Sequence, residues 1–332
     1  MKEIITKNTE RNFKSISSFK EILKGQLAGI TLILIIMFVL LSLLTSTFLT
    51  STNIFNILRA FSWIAISAYG ECLVVITGGI DLSVGSVMAF SGLITAMIMN
   101  AGITVPVAVL AGVISGSLIG FFNGILVTKA KLPPFIATLG SLLIFRGLCS
   151  GLTGGWPVRD FPKVFSYLGQ YDIPLFGIGI PVPLIFVVFL GIAMFFFLTH
   201  TIWGYRIFAV GGNETAAYLS GINTDRTKIM AYVICSTLTA IGGILMTSRL
   251  GVASPTAASG YELDVIAAAV VGGTSLAGGE GNILGVFIGA AIMQILRTGL
   301  VLVGVTAYWL QAIQGLIIII AITLDQLRKK RI

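Results

Sequence analysis

The sequence predicts an all-α membrane protein: a polytopic helical bundle of about ten transmembrane segments in two related halves, two segments being broken at glycines. Three observations lead there. Of 332 residues, 56% are hydrophobic and 10% charged, where a soluble domain carries about 25% charged residues. Apolar runs of span length, each able to cross about 30 Å of hydrocarbon, recur along the whole chain. Two runs halt at a Gly-Gly pair and then resume, at Gly78-Gly79-Ile80-Asp81-Leu82-Ser83-Val84-Gly85 and at Gly272-Gly273-Thr274-Ser275-Leu276-Ala277-Gly278-Gly279.

Taken in order, residues 1–27 form a polar tail with Lys2, Lys7, Arg11, Lys14, Lys20 and Lys24. The apolar run behind it is too long for the core of a cleavable signal peptide. The first span is Ala28–Leu49. Ser51-Thr52-Asn53 offers a helix cap, and Ile54–Leu58 a short interfacial helix. Further spans follow at Ala60–Thr77, Val84–Met99, Thr104–Val127 and, after Pro133-Pro134, Phe135–Gly151. Residues 152–180 make a long loop with balanced charge, suited to the outer face. The sixth span is Pro183–Leu198. Residues 199–228 are polar again. The remaining segments are Ile229–Leu250, Leu263–Val271, Ile283–Val303 and Tyr308–Leu324. The transmembrane region thus runs over 28–325, with a basic tail at 326–332.

The net charge is +8, but the basic residues gather at the termini and in short loops. That distribution fits cytoplasmic anchoring and not nucleic-acid binding. An even span count puts both termini on that face, together with Lys129, Lys131 and Arg206–Lys228. Cys72, Cys149 and Cys235 lie in separate apolar runs and read as buried small side chains. No His/Cys cluster has metal spacing. No phosphate loop occurs, so the chain is not expected to hydrolyse ATP itself.

The glycine breaks are candidates for a translocation path, because broken backbone at membrane depth is tolerated where it faces protein or a water-filled route. Gly78, Gly79, Asp81, Ser83, Gly272, Gly273 and Ser275 are its candidate residues, with close helix packing through small residues as the competing reading. Asp81 or Ser83 can cap the helix that resumes. Glu71 joins them as an acid inside an apolar run. It can hydrogen-bond substrate hydroxyls, relay protons, or pair with Arg146 or Arg297. His200, at a span end, reads as interfacial. In the second polar stretch, Asn213–Asn223 forms a short surface helix. Asn213 caps it, Gly221 and Asn223 end it, and Ala217, Tyr218 and Gly221 fall near one face.

The Gly78–Gly85 stretch resembles the hallmark of ribose-type sugar permeases of ATP-binding-cassette importers. Pro134–Gly140, Gly211–Glu214 with Ser220–Asn223, and Gly260–Asp264 leading into Gly272–Gly279 are similar to the same family. The resemblance covers about Asn53 to Asp325. It implies two permease copies in the bacterial inner membrane and separate cytoplasmic ATPases that hold ATP and Mg, with no cofactor in this chain. It also implies an extracytoplasmic binding protein delivering a monosaccharide, a pentose such as ribose or another sugar. Asn213, Glu214, Ala216, Ala217 and Gly221 then belong to the helix that couples to the ATPase. Trp156, Arg159 and Asp160 are candidates for contact with the binding protein. Outside this family, the same residues suit a secondary carrier or facilitator, or a channel or membrane scaffold.

Overall fold

The computed structural model describes residue 25, residues 27–175 and 177–306, and residues 309, 312, 313, 315, 316 and 319. Most of the expected tenth segment at Tyr308–Leu324, most of the N-terminal tail and the basic C-terminal tail lie outside these described residues.

Twelve helices and one hairpin make up the described fold. They are α1 (Ala28–Leu44), α2 (Ser51–Ile76), α3 (Val84–Asn100), α4 (Val105–Thr128), α5 (Pro134–Thr153), α6 (Lys163–Gln170), β1 (Asp172–Leu175), β2 (Ile178–Pro181), α7 (Val182–His200), α8 (Ile202–Gly212), α9 (Glu214–Leu219), α10 (Thr224–Leu250), α11 (Tyr261–Val271) and α12 (Ile283–Leu302). The chain is therefore mostly helical, and the antiparallel β1–β2 pair, register Asp172 to Pro181, corrects the all-α expectation. Six helices are long and apolar enough to cross a membrane, namely α2, α4, α5, α7, α10 and α12, while α1 and α3 are shorter apolar helices.

The core is two helices with little outer surface. Every residue of α2 from Phe61 to Ile76 is buried. α10 packs along α2, α3 and α4. These helices meet where side chains are smallest. A Cβ on Gly70 would sit 2.6 Å from Cys235 Cα, and one on Gly124 would sit 2.8 Å from Ile229 Cα. In lipid, where apolar surface gains little by leaving its solvent, such close backbone contact is what holds helices together. Large apolar side chains face outward instead, among them Leu32, Ile36 and Leu43 on α1 and Phe189, Ile192 and Phe196 on α7.

Three boundaries differ from the sequence expectation. Residues Ser51–Ile76 form one helix, so the interfacial helix and the second span are continuous. Arg59 is tied to Asp172 of β1 at 2.6 Å, with Arg59 largely buried. The pair joins the hairpin to the head of α2. The 152–180 loop holds α6, which buries Phe165 and Gly169 against the tail of α10, where Ser248 Oγ donates to the Phe165 carbonyl at 2.6 Å. The 199–228 stretch holds two short helices, α8 and α9, and the start of α10.

Candidate functional site

Both Gly-Gly pairs end a helix in the same way. α2 ends at Ile76, with Thr77 as cap. Gly78 takes φ of 80°, and the amides of Gly78 and Gly79 return to the carbonyls of Val75 and Val74 at 2.9 and 3.0 Å. α11 ends at Val271, Gly273 takes φ of 94°, and the amides of Gly273 and Thr274 return to Val270 and Ala269 at 2.9 and 3.0 Å. Each is a Schellman cap, which needs a left-handed residue that glycine adopts without steric cost.

Behind the first break lies a fully buried polar chain. The Asp81 amide donates to Glu71 Oε1 at 3.1 Å. Asp81 Oδ1 accepts from the Ser83 amide at 2.8 Å and from the Ser83 hydroxyl at 2.6 Å. Ser83 Oγ accepts in turn from Asn123 Nδ2 of α4 at 2.8 Å. Cys235 Sγ of α10 points its hydrogen at Glu71 Oε2 over 3.7 Å. Glu71, Asp81, Ser83 and Asn123 are all fully buried. Four elements are thus pinned at the break: α2, the 77–83 segment, α4 and α10.

This geometry corrects two expectations. Ser83 stands at the N-cap position of α3 but does not cap it, because its hydroxyl is turned to Asp81. Arg146 and Arg297 do not pair with Glu71. Arg146 donates to the carbonyls of Pro255 and Ala257 at 3.0 and 2.7 Å, and Arg297 pairs with Asp264 at 2.6 Å while lying 4.3 Å over the Tyr261 ring.

The second break folds around the end of the first. Thr274 Oγ1 meets Cys72 Sγ at 3.3 Å, and the Ser275 amide donates to the Glu280 carbonyl at 3.0 Å, closing the turn. Gly272 is buried against α12, where a Cβ would lie 2.6 Å from the Gly285 carbonyl carbon. Gly78 is exposed and Gly273 half-buried, whereas Gly79 and Ser275 are buried. Close packing therefore accounts for Gly272 and Gly79, the latter facing Tyr232 Oη at 2.6 Å from its would-be Cβ. Asn123 was missed in the sequence although an amide within an apolar helix is a readable signal. Tyr232 and Thr274 carried no such signal.

The α9 end of the bundle has its own construction. Asn213 Oδ1 accepts from the Ala216 amide at 2.9 Å, as expected of a cap. Gly221, at φ of 84°, closes α9: its amide donates to the Tyr218 carbonyl and the Ile222 amide donates to the Ala217 carbonyl. Asn223 instead opens α10, accepting from the Arg226 amide at 2.9 Å. Ala217 faces the chain's own interior, while Glu214, Ala216, Tyr218, Leu219 and Gly221 face out. Lys228 holds Glu214 at 2.7 Å and Lys129 holds Asp225 at 2.7 Å. At the opposite end, Trp156 is 78% exposed beside exposed Arg159 and Asp160. That segment is pinned by the Val158–Ala253 bridge and by Asn100 Nδ2, which donates to the Arg159 carbonyl at 2.8 Å.

Nothing in this construction suggests a metal centre, since no group of three His, Cys, Asp or Glu among the described residues is placed to hold one. A cavity of about 320 Å³ between α7 and α12 is walled by Val187, Ile192, Phe195 and Phe287, and Tyr69 is the one residue of its lining with a polar side-chain atom.

Comparison with known proteins fits a transport bundle. The family described as branched-chain amino acid transport system / permease component matches residues 53–322. The chain is 43% identical to the ribose import permease protein of Escherichia coli K12, over 88% of this chain and 91% of that one. It is 42% identical to the ribose import permease protein of Bacillus subtilis 168, over 90% and 91%. It is 33% identical to the xylose transport system permease protein of Escherichia coli K12, over 86% and 87%. No solved structure matches. With identity this high over nearly the whole of each chain, and with six membrane-length helices carrying it, the protein belongs to this permease family and, within it, to the ribose-type sugar permeases of ABC importers.

Proposed function

We propose that the chain forms one half of the path by which a monosaccharide, a pentose of the ribose kind, enters the cell, with a second permease copy supplying the other half. Its ten membrane segments place residues 1–27 and 326–332 in the cytoplasm. Separate ATPases supply the energy, and an extracytoplasmic binding protein supplies the sugar at Trp156, Arg159 and Asp160. The names of its relatives support the substrate class. The end of the bundle holding Lys129, Lys131, Arg206, Arg226 and Lys228 is the cytoplasmic one by the positive-inside rule. The exposed Gly78 and the half-buried Gly273 border the path, while Glu71, Asp81, Ser83, Gly79, Gly272 and Ser275 hold the breaks in shape from behind.

The observation that carries this reading is α9. A helix of six residues stands capped between the short α8 and the membrane-length α10, with Tyr218 69% and Leu219 79% exposed beside Ala216 and Gly221. An apolar tip on a charged face is poorly placed in water and well placed in a partner's groove. The ion pairs around it are exposed and contribute only about 0–1 kcal/mol each.

The test is reconstitution with the ATPase and the sugar-loaded binding protein. Tyr218→Asp with Leu219→Asp is expected to weaken ATPase association by roughly tenfold or more, since truncating a central apolar anchor costs about 2 kcal/mol. Glu214→Gln is expected to be mild. Sugar accumulation by the permease with no ATPase present would instead establish a secondary carrier.

A further inference from the structure

The polypeptide backbone of three distant segments meets at one point. The Schellman cap leaves the Ile76 carbonyl at the end of α2 without an intrahelical partner. That carbonyl accepts the Gly279 amide at 2.9 Å, so a backbone bond ties the first glycine break to the second. Gly211, next to last in α8, lies directly on this bond. A Cβ there would overlap the Ile76 carbonyl oxygen and come within 2.6 Å of the Gly279 nitrogen. The contact is reciprocal: a Cβ on Gly278 would be 2.8 Å from the Gly211 carbonyl oxygen, and one on Gly279 would be 3.0 Å from Gly212 Cα. Gly278 and Gly279 both hold positive φ, 85° and 77°.

α8 leads to α9 without an intervening loop. Asn213 is at once the C-cap of α8 and the N-cap of α9, and its side chain fixes the first turn of α9. A displacement of α9 therefore reaches Gly211 through two residues of ordered chain. At Gly211 it meets backbone alone. Side chains can absorb a push by changing rotamer, whereas two backbones in contact have no such freedom.

We propose that Gly211 is the positioning residue through which movement of α9 is delivered to both glycine breaks at once, the Ile76–Gly279 bond making the two breaks move as one body. This rests on the reading of the chain as a permease driven by a separate ATPase.

The experiment compares Gly211→Ala with Gly212→Ala in vesicles holding permease, ATPase and sugar-loaded binding protein. Uptake and ATP hydrolysis are read together. A Cβ on Gly212 meets nothing within 4 Å, so this neighbour is the control. Gly211→Ala is expected to keep the ATPase bound and hydrolysing, and to lower sugar imported per ATP by roughly fivefold or more, the lower end of typical coupling energies. Gly212→Ala is expected to behave as wild type. A second variant covers the case in which Gly211→Ala fails to insert: two glycines added between Gly212 and Asn213 leave the junction and α9 intact but slacken the link. It is expected to hydrolyse ATP with the same loss of uptake, a result that a purely structural role for the junction does not produce. Wild-type import per ATP in both the Gly211→Ala and the insertion variants would overturn the proposal. Wild-type uptake that needs no ATPase would overturn the underlying reading instead, so the two failures are distinguishable.

Discussion

Gly272→Leu is expected to yield almost no folded permease. Gly272 ends α11 with its backbone against α12. Its would-be Cβ lies 2.6 Å from the Gly285 carbonyl group and 2.6 Å from Val286 Cα. Nothing at that contact is a flexible side chain that can swing aside. Gly289 repeats the close approach one turn on, 2.9 Å from the Gly272 nitrogen at its own would-be Cβ. A leucine must therefore part α11 from α12, and overpacking a tight site costs about 1–3 kcal/mol or more even where neighbours can shift. Here backbone must shift, and the Asp264–Arg297 ion pair that joins the same two helices is strained with it. The check is the monodisperse fraction in detergent beside membrane insertion. Gly273→Ala is the contrast, since it puts a Cβ on a residue at φ of 94°, a left-handed conformation that costs about 1–2 kcal/mol. Equal recovery of Gly272→Leu and wild type would show that α11 and α12 are not held as described.

Asp81→Ala is expected to lose both stability and uptake, and Asp81→Asn to recover much of both. The alanine leaves the Ser83 amide and hydroxyl without their acceptor in a fully buried site. A buried group left unpaired costs about 1–3 kcal/mol, so two such groups predict a loss of about 2–6 kcal/mol. Asparagine keeps an acceptor oxygen at the same place. Glu71 gives the parallel comparison: Glu71→Gln retains the acceptor for the Asp81 amide, and Glu71→Leu removes it. Thermal unfolding followed by tryptophan fluorescence, with uptake measured on the same preparations, decides the matter. If Glu71→Gln unfolds like wild type but abolishes uptake, the carboxylate acts on the substrate or a proton and not as a brace.

Much of this could be read from the chain alone, for reasons that differ by residue. Gly78 and Gly273 declared the breaks because a left-handed cap following an apolar run calls for glycine. Asn213 declared α9 because a side-chain acceptor belongs at the start of a short helix. The Arg59–Asp172 pair was not legible, since its two members lie 113 residues apart and only the fold brings them together. α6 was hidden because its eight residues make only about two turns, too short a window for helical periodicity to be told from a loop. Ser83 was misassigned because its hydroxyl can turn either to the helix start or to Asp81, and only the fold around Asn123 chooses.

The central helix α10 also has the uncharged length of one membrane crossing. Between Lys228 and Arg249 it carries no charge, and at 1.5 Å per residue that stretch spans roughly 30 Å, the thickness of a hydrocarbon core. Each end is fastened to its own surroundings, Lys228 to Glu214 and Arg249 to Asn56. Tilting to suit a thinner bilayer would drag α9 at one end and the head of α2 at the other. Acyl-chain length is therefore expected to act on the same joints that ATP is proposed to drive.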